Sequence, residues 1–361
     1  MIGVVEAFST SYATARVKFL EAAARAGLVI ESHRHPLLGR DGEELAMDVA
    51  LDGPSDANHL LVVTSACHGV EGYCGSGVQV FALHDEEWRD KARAHGVAVL
   101  YIHALNPHGF SFDRRVTQEK VDLNRNFHDF AKPLPVNERY RGVHGLLLPA
   151  HWPPKPEDDA AMAAYIAEHG ATVFQAAVSG GQHEYADGLF YGGSAPTWSN
   201  TELRRVLHTH GQRAQRIAWI DIHTGLGPSG IGERIFACRD DATALRRARG
   251  WWGDKVTSIY DGSSTSAFLT GMAFNAFYDE CPQAEYTGLA MEYGTLPFEE
   301  VSLALRADHW LHLHPQAPAE LAEQIHAQMR AAFHTDTDAW KGQVISQARQ
   351  AMFQAVQGMA G

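Results

Sequence analysis

Short apolar runs alternate with segments of helical periodicity along most of the chain. The apolar runs have the length of strands and lie at positions 60–64, 97–105, 217–222 and 288–293. Helical periodicity dominates the segments between them, at positions 77–95, 156–178, 200–211 and 241–255. Strands that are apolar throughout are typical of a sheet covered on both faces. The pattern therefore predicts an α/β fold with a largely buried sheet.

Two further segments fall outside this alternation. Positions 130–156 are rich in proline and predict a long irregular insertion, a type of loop that is usually functional or disordered. Positions 317–359 carry two helical patterns with a break near 335–338, and they predict helices that pack on the outside. No change of composition divides the chain. We therefore predict one domain over 1–361, with the catalytic segments between 60 and 295.

Charge and composition exclude several classes of partner. The chain has 361 residues, with 30 Lys and Arg against 43 Asp and Glu, and a formal net charge of −13. This balance argues against nucleic acid, because binding to a polyanion relies on Lys and Arg that replace its counterions. No apolar run approaches the ~20 residues of a membrane span, and the N-terminus lacks the pattern of a signal peptide. We expect a cytoplasmic protein that binds neither nucleic acid nor membranes.

Histidine is abundant, with 21 copies, and two of them stand in the same short motif. His68-x-x-Glu71 follows the apolar run at 60–64, whereas His84-x-x-Glu87 lies in a polar helical stretch. Ligands of open α/β sheets bind beyond the carboxyl ends of the strands, and only the first pair lies there. We therefore predict His68 and Glu71 as metal ligands, and the second pair as a solvent-exposed helix face.

A third histidine follows another predicted strand. His223 lies in Asp221-Ile-His-Thr, at the end of the run at 217–222. A catalytic zinc site takes three protein ligands and leaves a fourth place for water, and His68, Glu71 and His223 supply such a set. Asp221 is a candidate partner for the second ring nitrogen of a ligating histidine. The alternative for His223 is a structural histidine in the core.

The same segment carries a rival motif. Gly225-x-Gly227-x-x-Gly230 has the spacing of a dinucleotide-binding fingerprint, which indicates an NAD-dependent oxidoreductase. That fingerprint opens a helix, whereas positions 231–238 have an extended pattern. The oxidoreductase remains a distant alternative.

A serine hydrolase is disfavoured because the chain contains no Gly-x-Ser-x-Gly motif.

Two basic clusters follow the strand predicted at 97–105. Arg114 and Arg115 form the first, and Asn124-Arg125 the second. Arginine captures carboxylates through paired hydrogen bonds and supports oxyanions. A surface ion-pair loop is the alternative for both clusters.

One acid lies in the last predicted strand. Glu292 interrupts the apolar run at 288–293. A carboxylate in such surroundings is rarely buried without a partner or a chemical task. Beside an activated water it would act as general base, and an edge strand that faces water is the alternative.

Taken in order, these segments resemble the zinc metallocarboxypeptidase superfamily. That superfamily shows His-x-x-Glu, then Asn-Pro-x-Gly, an Arg, Asn-Arg, a lone His after a strand, and a Glu near the end. Here Asn106-Pro-His-Gly109 supplies the second motif. The residues at 122–127 and 221–224 are most similar to those of bacterial branches of this superfamily. These branches include the succinylglutamate desuccinylase/aspartoacylase type and a carboxypeptidase-like group. The resemblance spans roughly positions 60 to 295.

The resemblance implies a fold, a cofactor and residue roles. The fold is a mixed, mostly parallel twisted sheet flanked by helices on both faces, and the cofactor is zinc. The implied zinc ligands are His68, Glu71 and His223; Asn124 and Arg125 hold the free carboxylate of the substrate; Arg115, or its neighbour Arg114, stabilises the oxyanion; and Glu292 is the general base.

The activity implied is hydrolysis of an amide or peptide bond next to a free carboxylate, on a peptide or small-molecule substrate. Deacylation of N-acyl amino acids is the alternative. Classical carboxypeptidases carry a mobile Tyr before the catalytic Glu, but none of Tyr260, Tyr278 and Tyr286 stands in a matching motif. That departure favours the deacylase. Positions 180–193 have no counterpart in the resemblance and are candidates for substrate contacts.

Overall fold

One mixed sheet forms the centre of the protein. The computed structural model describes residues 2–361. Within these residues the sheet has seven strands: β1 Ile30–Leu38, β2 Glu44–Asp52, β3 His59–Thr64, β4 Val97–His103, β5 Arg216–Ser229, β6 Gly232–Phe236 and β7 Glu285–Gly294. The four apolar runs of the sequence all become strands, namely β3, β4, β5 and β7.

Four parallel strands lie at the centre of the sheet, and antiparallel strands form its two edges. The order is β1-β2-β4-β3-β5-β7-β6, with β4, β3, β5 and β7 parallel to one another. β1 and β2 are antiparallel at one edge, and β6 at the other. β4 and β5 lie on opposite sides of β3. The strand order therefore reverses at β3, and the crevice beyond such a reversal is where open α/β sheets bind ligands.

Helices cover both faces of this sheet, as the predicted fold class requires, and that class is confirmed. Within residues 2–361 the α-helices are α1 Val4–Ala7, α2 Tyr12–Arg25, α3 Gly72–His84, α4 Glu86–Ala94, α5 Pro107–Ser111, α6 Glu138–Leu147, α7 Pro156–His169, α8 Ala171–Ser179, α9 Trp198–Gly211, α10 Ala242–Trp252, α11 Asn275–Glu280, α12 Phe298–Leu313, α13 Ala319–Phe333 and α14 Asp338–Ala360. Side chains alternate along a strand. Trp219 of β5 packs against Phe277 of α11, whereas Ile222 points to the opposite face, where Gly75 of α3 approaches it.

Two of the predicted helices are each divided by one residue. The segment predicted at 77–95 forms α3 and α4, because Asp85 ends the first helix and its side chain accepts the N–H of Trp88 to cap the second. The segment predicted at 156–178 forms α7 and α8, separated by Gly170 with a φ of 87°. In both cases local backbone chemistry interrupts a continuous periodic pattern.

The segment at 130–156 is not irregular throughout. It contains α6, which begins after Asn137, whose side chain accepts the N–H of Tyr140. Tyr140, Val143 and Leu147 lie on one face of α6 and pack in a small apolar cluster with residues of α8. The prediction of an irregular stretch is wrong for 138–147, because the density of proline around this segment obscures the helical spacing of three apolar side chains.

The C-terminal segment forms the two predicted helices, α13 and α14, with the break at 334–337. α14 packs on α3, α10 and the neighbouring strands. Among residues 2–361, no helix combines the length and the apolar character that a membrane crossing requires.

Candidate metal centre and active site

Two histidines and one glutamate converge at the carboxyl edge of the sheet. His68 and Glu71 follow β3, and His223 lies in the adjacent strand β5. Nδ1 of His68 lies 2.8 Å from Oε1 of Glu71, and Nδ1 of His223 lies 2.9 Å from Oε2 of the same carboxylate. All three side chains are buried. One ligand atom from each lies within 4.8 Å of the other two, so one ion can contact all three residues.

A glycine turn places Glu71 beside the next segment of the site. Residues Gly69–Glu71 form a short 3-10 turn. A Cβ on Gly69 would lie 2.0 Å from the carbonyl carbon of Gly109, so only glycine lets the two turns pack this closely. The N–H of Gly69 also donates to the carbonyl of Arg115 over 3.1 Å. The turn thus brings Arg115 to the Glu71 carboxylate.

Two buried aspartates hold the outer nitrogens of the histidines. Nε2 of His68 lies 3.2 Å from Oδ1 of Asp122, and Nε2 of His223 lies 2.6 Å from Oδ2 of Asp221. Histidines that bind metals usually give their second N–H to a carboxylate, which leaves the other nitrogen unprotonated. Both histidines therefore present Nδ1 to the point where Glu71 lies. The sequence indicates Asp221 for this role, but it gives no comparable signal for Asp122.

Asp221 is itself held by a chain of hydrogen bonds. The hydroxyl of Thr64 donates to Oδ1 of Asp221 over 2.5 Å, and the same hydroxyl accepts from the indole N–H of Trp219 over 2.9 Å. Thr64 and Asp221 are register partners in the β3–β5 pairing. The backbone ladder therefore fixes the aspartate that orients His223.

Negative charge exceeds positive charge around these ligands. The carboxylates are those of Glu71, Asp122, Asp221 and Glu292, and the guanidiniums are those of Arg115 and Arg125. One divalent cation balances the difference. Burial lowers the pKa of His223, but Asp221 and Glu71 outweigh burial and hold that pKa well above its ordinary value. The site thus favours positive charge beside Nδ1 of His223.

The donor set fits a zinc ion. Two imidazoles and one carboxylate, with carboxylates behind the imidazoles, form a typical catalytic zinc set. Within residues 2–361, Cys67 with Asp221 and His223 forms the other group of possible ligands. Cys67 does not line the cavity described below, and burial together with nearby carboxylates raises the pKa of its thiol well above its ordinary value. A thiolate ligand is therefore unfavourable there, and the histidine–glutamate set is the better site.

Glu292 faces the ligands from the neighbouring strand β7. It is the register partner of His223, so both side chains project from the same face of the sheet. The N–H of Leu226 donates to its Oε1 over 3.1 Å. Burial and the negative charge of Glu71 raise the pKa of Glu292 to about 8. A carboxyl group with such a pKa can accept and return a proton near neutral pH.

Arg115 bridges two carboxylates of the site. Its Nε donates to Oδ2 of Asp122 over 3.0 Å, and its Nη1 donates to Oε1 of Glu71 over 3.2 Å. The guanidinium also lies 5.3 Å from the ring centre of Phe190. Within the part of the chain that the structure describes, Nη2 of Arg115 donates to no protein group, and the residue lines the cavity. Positive charge is thus available to an oxygen bound there.

Asn124 and Arg125 line the same cavity. Nη1 of Arg125 donates to the carbonyl of Asn124 over 2.9 Å, and its Nε and Nη2 donate to the carbonyl of Ser179 over 3.1 and 2.6 Å. Among residues 2–361 no carboxylate forms an ion pair with this guanidinium. Burial lowers the pKa of Arg125 to about 10. A buried guanidinium without a carboxylate is a natural position for an anionic ligand group.

Arg114 lies outside the site. Its Nε donates to both carboxylate oxygens of Asp308, over 3.3 and 3.1 Å, and it does not line the cavity. Asp113, the preceding residue, has a φ of 54°, and consecutive side chains in this turn point in different directions. The structure therefore places Arg114 away from the cavity, and Arg115 is the arginine that reaches the candidate ligands.

The dinucleotide alternative is also wrong. Gly225 and Gly227 lie within β5, and Gly230 lies in the turn that leads to β6. The fingerprint requires a helix N-terminus that receives a pyrophosphate, and here the chain continues into a strand.

The three tyrosines before Glu292 lie away from the site. The hydroxyls of Tyr260 and Tyr286 donate to the carbonyls of Cys238 and Ala237, respectively. None of Tyr260, Tyr278 and Tyr286 lines the cavity.

An apolar cavity of about 140 Å³ opens onto these residues. Helices α6 and α8 contribute Leu147 and Phe174 to one wall, and the predicted contact segment at 180–193 contributes Leu189 and Phe190. The insertion that follows the Arg125 segment therefore forms part of the cavity wall. Apolar side chains line most of the cavity beside the three candidate ligands and Glu292.

Comparison with solved structures finds proteins that align with most of this chain. The crystal structure of thrombin activatable fibrinolysis inhibitor aligns with a TM-score of 0.48 at 14% identity, over 84% of this chain and 76% of that chain. A metallo-carboxypeptidase from Burkholderia cenocepacia aligns with a TM-score of 0.41 at 11% identity, over 88% and 66%. The murein-tripeptide amidase MpaA from Escherichia coli O157 aligns with a TM-score of 0.35 at 13% identity, over 80% and 92%.

Sequence comparison gives the family. No curated protein matches the chain. The family model described as "Protein of unknown function (DUF2817)" matches residues 8–347, which is most of the chain. The chain belongs to the DUF2817 family.

Proposed function

We propose that this protein is a zinc-dependent hydrolase that cleaves an amide bond next to a free carboxylate. One observation carries the proposal. His68, Glu71 and His223 surround a single point, each imidazole is held from behind by a buried aspartate, and Glu292 faces that point from the next strand. This arrangement combines a site for a dication with a group that can move a proton.

His68, Glu71 and His223 would hold the metal. A bound zinc ion lowers the pKa of a water molecule from ~15.7 towards ~7 and polarises a carbonyl group. With a metal bound, Asp122 and Asp221 would accept the Nε2–H of each imidazole, which fixes the orientation of each ring and leaves Nδ1 to the ion.

Glu292 supplies the proton transfers. Its carboxyl group is buried, which disfavours the charged form and makes it a stronger base than an exposed glutamate. The carboxylate takes a proton from the attacking water and later gives it to the nitrogen of the leaving amine. The N–H of Leu226 holds one of its oxygens, so the other is directed to the reaction.

Arg115 and Arg125 each bind a different negatively charged group during the reaction. Arg115 lies beside Glu71 and stabilises the oxygen that becomes negative as the carbonyl is attacked. Arg125 and Asn124 bind the free carboxylate and thereby fix which bond reaches the ligands. The substrate is the one partner that we propose for this site.

The wall formed by α6, α8 and 180–193 favours the second candidate, an N-acyl amino acid deacylase. A peptidase must admit the long chain that precedes the scissile bond, whereas a deacylase needs space for one acyl group. Leu147, Phe174 and Leu189 take up space along the wall of a cavity of about 140 Å³. A small substrate fits such a volume better than a polypeptide does.

A substrate panel tests both candidates. Purified protein is assayed with N-acyl amino acids and with C-terminal dipeptides, before and after treatment with a chelator and again after zinc is restored. We expect turnover of one class that the chelator abolishes and zinc recovers. Turnover that is unaffected by thorough metal removal would contradict the zinc proposal, and cleavage of internal peptide bonds would contradict the need for a free carboxylate.

A further inference from the structure

A second buried guanidinium lines the same cavity. Arg306 lies in α12 and is 3% exposed. No carboxylate among residues 2–361 forms an ion pair with it, and Asp158 and Asp159 act on its charge only from a longer distance. A charge removed from water without an opposite charge is costly. Like Arg125, Arg306 is therefore a position at which an anion would be stabilised.

Arg306 contacts carbonyl groups and one aromatic ring, and its guanidinium carbon lies 5.8 Å from the ring centre of Trp152. Its Nε donates to the carbonyl of Leu147 over 2.8 Å, and its Nη2 reaches the carbonyl of Leu146 at 3.5 Å. These carbonyls end α6, so two donors cap a helix C-terminus. Carbonyl groups do not neutralise the charge. Nη1 makes no hydrogen bond in the part of the chain that the structure describes.

A hydroxyl group stands next to this cation. Ser302 precedes Arg306 by one helical turn, so both side chains lie on the same face of α12. Both line the cavity. The Ser302 hydroxyl makes no hydrogen bond within residues 2–361. A guanidinium N–H and a hydroxyl, side by side in an apolar cavity, form a pair of donors for a carboxylate.

We infer that the substrate carries a second anionic group, which Arg306 and Ser302 bind. This inference rests on the proposed function, since it concerns the same cavity. Arg125 donates to the end of α8, whereas Arg306 donates to the end of α6. The two cations thus occupy different parts of the wall. The free carboxylate binds at Arg125, and the acyl part of the substrate ends in, or bears, a carboxylate at Arg306.

The test compares substrates that differ by one charge. N-adipoyl-leucine and N-hexanoyl-leucine have acyl chains of equal length, and N-acetyl-Glu-Leu and N-acetyl-Gln-Leu are the peptide counterparts. We expect kcat/KM of the zinc-loaded protein to be about tenfold or more higher for the acidic member of at least one pair, because a charge-assisted hydrogen bond contributes on that scale. The difference is expected mainly in KM, since Arg306 contacts a group remote from the reacting bond.

Variants of Arg306 distinguish the effect of its charge from the effect of its hydrogen bonds to the end of α6. Arg306→Gln keeps a donor for the Leu147 carbonyl but removes the charge, and we expect the acidic preference to fall to about one. Arg306→Lys keeps the charge, and part of the preference is expected to remain. Ser302→Ala is expected to weaken the preference less than Arg306→Gln. Arg93→Gln, at an exposed arginine of α4, is the matched control and keeps the preference. Thermal melts of each variant check that the fold is intact.

Each outcome decides the inference. Equal turnover of both members of each pair overturns it and leaves the proposed hydrolase in place. A preference that survives in Arg306→Gln also overturns it, because the discriminating charge then lies elsewhere. Absence of zinc-dependent turnover with all four substrates, together with no binding of them by calorimetry, overturns the proposed function and this inference with it.

Discussion

The protein contains the same four-residue motif twice, and the two copies have opposite environments. His68 and Glu71 are 4% and 1% exposed. The ring centre of His68 lies 5.0 Å from that of His223, and Glu71 lies within hydrogen-bond distance of His223 and Thr224. His84 ends α3, where its Nδ1 lies 3.0 Å from the carbonyl of Val80, and the Glu87 side chain is 73% exposed beside Arg349. Spacing alone therefore does not bring such side chains together with a third candidate ligand. The difference lies in the strand end, where side chains from β3 and β5 meet.

The largest effect expected is the loss of metal from one copy alone. His68→Ala removes a ligand, and we expect the affinity for zinc to fall by more than about 100-fold, because loss of a mere supporting residue already costs 10–100-fold. Zinc per chain is measured after dialysis, with His84→Ala as the matched control. Full zinc occupancy in His68→Ala would contradict the proposal that His68, and not His84, is a metal ligand.

The next effect separates catalysis from metal binding. Glu292→Gln keeps the shape of the side chain and removes its ability to take a proton. We expect zinc content to stay at about one per chain while kcat falls by about 10²–10³-fold, or ~2.7–4 kcal/mol. Steady-state kinetics and metal analysis on the same sample check this. Normal turnover would place the general base elsewhere.

Removal of the metal is expected to make stability depend on pH. In the metal-free fold the pKa of Glu292 is raised to about 8 and that of His223 lies well above its ordinary value. Folded protein therefore holds these protons at pH values where the unfolded chain has released them, and stability falls as pH rises from about 6 to 8. Each group contributes up to about 1.4 kcal/mol per pH unit.

Denaturant unfolding in the presence of a chelator measures this dependence. The zinc-loaded protein is the control, and we expect a flatter profile because the cation replaces the protons. Glu292→Gln without metal should lose part of the slope. If the free energy of unfolding of the metal-free protein does not change with pH over this range, the buried carboxylates do not raise the pKa values of Glu292 and His223.

A smaller effect is expected from the aspartate behind His68. Asp122→Asn keeps the shape but weakens its support of Nε2 of His68 and its pairing with Arg115. We expect zinc affinity to fall by about 10–100-fold. Competition with a zinc-binding dye measures it, and Asp90→Asn, an exposed residue of α4, is the control. Unchanged affinity would remove Asp122 from the site.

The smallest effect is expected at the exposed copy. Glu87→Gln removes an ion pair with Arg349 at the surface, and such pairs contribute about 0–1 kcal/mol. We expect zinc content and kcat to match the unmodified protein, and the urea midpoint to change little. A loss of zinc in this variant would contradict the assignment of the exposed copy as a surface feature.

Sequence patterns locate the central strands and most site residues, because both depend on local signals. β3, β4, β5 and β7 are apolar throughout, and the chemistry follows directly after them or lies at their ends. β1 escapes detection because most of its side chains are exposed and polar, and its strand form depends on pairing with β2. Recognition of this edge strand therefore requires knowledge of the sheet that it joins.

Asp122 and Arg306 show what sequence cannot supply. Asp122 contacts His68, which lies 54 positions earlier in the chain. Arg306 is an ordinary arginine in a helical pattern, and only the packing of α12 against the end of α6 removes it from water. A contact between residues that are far apart in the chain produces no local pattern in the sequence. The contacts of Asp122 and Arg306 can therefore be recognised only in the three-dimensional structure.

The hydrogen-bonded chain from Trp219 through Thr64 to Asp221 has an optical consequence. An indole group is joined by two hydrogen bonds to the aspartate that orients His223, and Trp219 also lines the cavity. Any change of charge at the histidine alters the electric field at the indole, to which tryptophan emission responds. We therefore expect Trp219 emission to change when zinc is titrated into the protein, and replacement of Trp219 by Phe to remove that change.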